Sequence, residues 1–139
     1  MSPREWILEL GYSKPPLTLN QRMHWAPKAR WVKQLSDDAQ LLATSSKLPK
    51  HLDQVGIVLH WQATTRRPRD SDNPTPTLKA LIDGLVRYGL VEDDDSEHVT
   101  SGCVIEAVAP TARLWLRIVE WAAPVAAAVA LPQPHQEQR

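Results

Sequence analysis

An α/β chain of the α+β, two-layer kind, a mixed β-sheet carrying two main helices, is the fold class this sequence predicts. Three observations lead there. The hydrophobic period alternates between strand-like and helix-like in the order strand, helix, strand, helix, strand, strand. Gly, Pro, Asn and Asp gather where the period changes. The 139 residues contain no internal repeat and suffice for a single domain with one core.

Each element has its own signal. Glu5-Trp6-Ile7-Leu8-Glu9-Leu10 is short, apolar and bounded by Gly11, which predicts a first strand. Ser13 to Asn20 contains Pro15-Pro16 and reads as an extended loop. From Pro27 to Thr44, Trp31, Val32, Leu35, Ala39 and Leu42 recur at helical spacing, and Pro27 suits a first turn. Val55, Ile57, Leu59 and Trp61 alternate with Gly56, Val58 and His60, predicting a second strand. Asn73-Pro74 reads as a helix start, with Asn as cap and Pro in the first helical position. Leu78, Leu81, Ile82, Leu85 and Val86 then form one stripe, and Gly89 ends it. Strand-like sequence runs from His98 to Val108, and Leu114, Leu116 and Ile118 alternate with Trp115 and Arg117. Between them, Ala109-Pro110-Thr111-Ala112 predicts the turn of a hairpin. The folded domain is expected over residues 1–121, with the Ala-, Val-, Pro- and Gln-rich residues 122–139 as a flexible tail.

Composition narrows the function classes. No apolar run is long enough to span a membrane, and the N-terminus lacks the layout of a signal peptide. The single Cys103 forms no internal disulfide and completes no zinc knuckle. A soluble, reduced, cytoplasmic protein is expected. Net charge is zero, but residues 1–69 hold eleven Lys/Arg against five Asp/Glu, a balance of +6. Residues 70–139 hold five against eleven, a balance of −6. Such asymmetry fits a protein that attracts a polyanion with one surface and holds cations with another.

The chemistry is concentrated in Asp70-Ser71-Asp72. In extended backbone, residues two apart point to the same side, so both carboxylates converge. Two neighbouring carboxylates repel unless a cation or proton lies between them. Hard oxygen ligands suit Mg²⁺, with Mn²⁺ as a substitute. A third carboxylate is available in Glu92-Asp93-Asp94-Asp95, at the turn after the second helix, where the chain is expected to re-approach the sheet. Lys79, early in that helix, faces either a phosphate or Asp83 four residues on. Taken singly, an Asp-x-Asp before Asn-Pro is commonly turn chemistry, and an acidic run is commonly a solvated loop. Juxtaposition favours the catalytic reading. Arg66, Arg67 and Arg69 stand beside the Asp pair, placing phosphate-attracting and metal-holding groups in one segment, as phosphodiester hydrolysis requires. Asn20 and His24 lie in Asn20-Gln21-Arg22-Met23-His24-Trp25, whose groups can stack on a base or bond a phosphate. The histidines show no metal-ligand spacing, and His60, within a strand, reads as structural.

The pattern Arg69-Asp70-Ser71-Asp72-Asn73, then Lys79, then Asp83-Gly84-Leu85, then Gly89-Leu90-Val91-Glu92-Asp93-Asp94, and finally Val99 resembles the RusA-type crossover junction endodeoxyribonucleases of phages and prophages. The resemblance runs from the Pro15-Pro16 and Asn20 region to about Val99. It implies a homodimer that binds four-way DNA junctions by their structure and nicks two strands symmetrically with Mg²⁺. It also implies that Asp70, Asp72 and Asp94 are the catalytic, metal-holding acids, Lys79 the catalytic lysine and Asn73 an active-site residue. The competing expectation is a non-catalytic, junction-binding accessory protein of recombination. A nucleotide-sugar enzyme, which also uses Asp-x-Asp, is excluded by the short chain and the lack of a glycine-rich phosphate loop.

Overall fold

The structure, a computed structural model, describes residues 4–121. Six elements follow in the expected order: β1 (Glu5–Glu9), α1 (Trp25–Ser45), β2 (Gln54–Gln62), α2 (Thr75–Tyr88), β3 (Val99–Ile105) and β4 (Arg113–Trp121). The strands form one mixed sheet in the order β1-β4-β2-β3, with β2 and β3 parallel and β4 antiparallel to β1 and β2. Leu35, Ala39 and Ala43 of α1 and Leu78, Leu81 and Leu85 of α2 share one core with Val55, Ile57, Leu59, Leu116 and Ile118 of the sheet. This is the two-layer architecture that the alternating periods predict. The expected tail, 122–139, lies outside the described residues.

The expected β3–β4 hairpin does not form. Instead, β4 is inserted between β1 and β2, and β3 pairs only with β2. The reason lies in β2, where Val55 to Leu59 are buried on both sides of the strand, as befits a central position. The connection after β3 stays against β2: Glu106 N–H donates to Trp61 O at 2.8 Å and Ala109 N–H to Ala63 O at 3.1 Å. Ala109 to Ala112 also lacks the Gly or Asn that a tight hairpin turn favours.

Helix α2 also begins differently. Pro74 occupies the cap position with no side-chain cap bond, and Asn73, the expected cap, is used elsewhere. The other end conforms, with Gly89 at φ 105° and its N–H reaching Leu85 O and Val86 O. The helices run parallel. Ser36 contacts Asp83 and Arg87, and beyond α1 the Leu48 carbonyl accepts from the Tyr88 hydroxyl. Their close approach depends on Gly84, where a Cβ would stand 2.9 Å from Ala39 Cβ and closer still to Ser36 O. Parallel packing places both helix N-termini at the end of the sheet where β1 and β2 finish.

The other face of the sheet is covered by its own side chains. Glu9 pairs with Arg113 and Glu5 with Arg117, Arg113 lies 3.9 Å over the Trp115 ring, and His60 stacks on Trp115 at 5.0 Å. His60 Nδ1 also meets Glu106 at 2.5 Å, so His60 has the structural role expected of it.

Candidate active site: an acidic turn beside the helix N-termini

The segment between β2 and α2 is organised around Arg69. Its guanidinium lies 5.0 Å from the Trp61 ring and donates to Thr65 O, Arg67 O and Thr65 Oγ1 at 2.9, 3.3 and 3.2 Å. Arg69, expected to grip DNA, is thus engaged in holding its own loop. Arg66 and Arg67 are exposed, and their side chains make no ion pair or hydrogen bond among the described residues.

Asp70 and Asp72 sit in one short turn. The backbone is a turn, not an extended strand. Asp70 Oδ1 accepts from Asp72 N–H at 2.9 Å, Asn73 N–H donates to Asp70 O and Thr75 N–H to Asp72 O, each at 3.0 Å. This is Asx-turn geometry, which short acids adopt because their carboxylate substitutes for a backbone acceptor. Both acids are exposed. The turn is fixed from outside: Asn73 Oδ1 accepts from Asn20 N–H at 3.1 Å and Asn73 O from Leu19 N–H at 2.9 Å. A buried clasp lies beneath, with Thr77 Oγ1 accepting from Leu17 N–H at 2.9 Å and donating to Leu17 O at 2.7 Å. Asn20 and Asn73 are therefore brought together.

Lys79 is exposed one turn into α2 and does not pair with Asp83. Asp83 instead accepts from Ser36 Oγ at 3.1 Å, joining the contact between the helices. His24 caps α1, its Nδ1 accepting from Ala26 N–H at 3.4 Å, and its ring stays exposed. Cys103 on β3 lies beside the turn; burial first, and then the Asp72 carboxylate, push its thiol up to about 11, against a hydrogen bond with Thr75.

Asp94 does not join the pair within one chain. Val99 at the start of β3 sits beside Val55 at the start of β2, so the acidic run ends up opposite the Asp70 turn. The 14 residues of α2, a helix about 21 Å long at ~1.5 Å per residue, lie between them in the chain. The chain re-approaches the sheet after α2, as expected, at the end where β2 and β3 begin. Among the described residues, no group of three His, Cys, Asp or Glu is placed to hold a metal ion. Within the run, Asp93 Oδ1 accepts from Asp94 N–H at 2.7 Å. Asp95 Oδ1 meets His98 Nδ1 at 2.6 Å, which lowers the Asp95 carboxyl and raises the His98 imidazole. The Asp94 carboxylate makes no such bond among the described residues.

The charge asymmetry of the sequence becomes spatial. Arg22, His24, Lys28, Arg30, Arg66, Arg67 and Lys79 gather at the end where the helices begin, all exposed. Asp53, Glu92 to Asp95 and Glu97 lie at the opposite end, together with the basic Arg4, Lys47, Lys50 and Arg87. There a cavity of about 430 Å³ is lined by His51, Asp53, Glu92 and His98 among others. Sequence reading missed this cluster because its members are far apart in the chain and meet through the Leu52–Val91 bridge and the backbone bonds beside it. Among the described residues, no helix is long and apolar enough to cross a membrane. No protein-family model matches this chain, and no curated protein matches it.

Proposed function

We propose that the chain is a Mg²⁺-dependent endonuclease that cuts branched DNA such as four-way junctions. The observation that carries this reading is the exposed Asp70–Asp72 turn, set among Arg66, Arg67 and Lys79 at the basic end of the molecule. The motif resemblance to RusA-type nucleases supports it.

The residues fit the cation. Mg²⁺ is commonly held by one or two carboxylates, with water and substrate phosphate completing its shell, and Asp70 and Asp72 supply hard oxygens open to solvent. When bound, the ion supplies water activation and offsets charge on the phosphate. Asp70 and Asp72 hold it, with Mn²⁺ as an alternative. The Asn20–Asn73 bond keeps their turn in place. Arg66 and Arg67 attract the DNA backbone, and the Lys79 ammonium stabilises the departing oxygen by its charge.

Asp94 bears on the number of chains. In this reading Asp70 and Asp72 supply two carboxylates per site, and Asp94 of a second copy supplies a third. A homodimer also provides the two sites that paired nicks require. The non-catalytic accessory reading predicts junction binding without cutting under any condition.

The test is incubation of a labelled, immobile four-way junction and a matched linear duplex with the purified protein, with and without Mg²⁺. The expected result is metal-dependent symmetric nicking of the junction alone, lost in Asp72→Asn while binding persists. Mixing Asp72→Asn with Asp94→Asn chains should restore part of the activity if acids from two copies share a site. Junction binding with no cleavage in Mg²⁺ or Mn²⁺ would refute the nuclease and leave the accessory protein.

A further inference from the structure

Trp25 stands out among the exposed apolar side chains. It opens α1 and is 74 % exposed, although indole is the largest apolar group a chain can bury. Its neighbours show that this is more than a frayed end. At helical spacing, Trp25, Ala29, Val32, Ser36, Ala39 and Ala43 occupy one stripe of α1. Lower down, that stripe faces α2, with Ser36 and Ala39 against Gly84 and Ala39 and Ala43 wholly buried. Higher up, it is uncovered: Val32 is 39 % exposed and Trp25 far more. The uncovered part lies at the end of the helix pair that carries the acidic turn. The Asn20–Asn73 and Leu19–Asn73 bonds anchor the segment leading into Trp25 onto that turn. The His24 ring, 5.8 Å away and tilted by 34°, covers only part of the indole.

We infer that Trp25 is a stacking platform for a base left unstacked at the branch point of the DNA substrate. This rests on the nuclease reading. Every base presents a π-face, so an exposed indole flanked by cations engages unstacked bases whatever their sequence, whereas bases within a continuous duplex are stacked already and offer no free face. Arg22, Lys28 and Arg30 supply the cations, and the first turn of α1 carries no acid to repel a phosphate. The acidic run Glu92 to Asp95 of a second copy would answer the charge but offers no planar group to the indole. DNA answers both the charge and the indole. Trp25 thus selects branched over linear DNA, while Arg66 and Arg67 hold the backbone of either.

Binding is measured by fluorescence anisotropy in EDTA, with a four-way junction and a matched duplex, for wild type, Trp25→Ala and Trp25→Phe. Trp25→Ala should weaken junction binding about tenfold, as expected for loss of one base–aromatic stack. Duplex affinity and the salt dependence should stay unchanged, and Trp25→Phe should restore most of the loss. Equal weakening on both DNAs, or unchanged junction affinity, overturns the inference. So does a drop of Trp25→Ala to a smaller mass in sedimentation, which would place the indole between copies of the chain. If wild type itself does not prefer the junction, the nuclease reading fails, and this inference with it, before any variant is tested.

Discussion

Gly84→Ala is expected to destabilise the protein although it replaces glycine in a helix interior, where alanine is ordinarily better by about 1 kcal/mol. The added methyl would stand 2.9 Å from Ala39 Cβ and closer still to Ser36 O. The second of these atoms is backbone within α1, so no side-chain rotation relieves the contact and the helices must part. Overpacking of this kind costs about 1–3 kcal/mol, and rigid backbone puts this site at the upper end. After subtracting the propensity gain, the net loss is about 1–2 kcal/mol, or a fall of several degrees in melting temperature for a domain of this size. The consequence reaches the acidic turn. Ser36 hydrogen-bonds Asp83, and the same packing sets where α2 begins relative to the Leu17–Asn20 loop. Urea unfolding followed by circular dichroism gives the midpoint. A midpoint equal to or above wild type, with unchanged slope, would refute the assignment of Gly84 as the contact that lets the helices approach.

Three further outcomes follow from the same geometry. Thr77→Val keeps the shape of a wholly buried side chain but leaves Leu17 N–H and C=O without their partner; a loss of about 2–3 kcal/mol is expected in urea melts, and a loss below about 0.5 kcal/mol would remove the clasp from the account. Arg66→Ala and Arg67→Ala should each reduce the slope of log K against log salt for DNA binding by about 1 while leaving the melt unchanged, whereas Arg69→Ala should lower the melt by loosening its loop; identical behaviour of all three would contradict the division of labour. Because the Cys103 thiol is raised, it stays protonated at neutral pH and should alkylate slowly, accelerating as pH climbs toward about 11. Asp72→Asn, removing the second cause of the rise, should move that acceleration to lower pH; no movement would place Asp72 away from Cys103.

The site was legible in part. The acids, the lysine and the arginines are visible as residue types at given spacings, but their individual duties are not. Asp70-Ser71-Asp72 looks the same in sequence whether extended or turned, and the bonds from Asp72 N–H to Asp70 Oδ1 and from Asn73 N–H to Asp70 O distinguish the two. Arg69 cannot be told from Arg66 and Arg67 until Trp61 is placed beneath it. Asn73, with a proline after it, has the signature of a helix cap, but its carbonyl oxygen is taken by Asn20, which is 53 residues away.

By itself, the sequence determined the six elements, their order, the end of α2 at Gly89 and the two-layer class. These depend on hydrophobic period and on glycine and proline stereochemistry, which act within a few residues. The tertiary structure alone decided that β4 inserts between β1 and β2, that the helices run parallel through Gly84, and that the acidic run after α2 and the Asp70 turn before it fall toward opposite ends of that helix. Strand partners and the two ends of a crossover are fixed by burial of both faces of β2 and by contacts between residues distant in the chain, and local spacing carries no record of either.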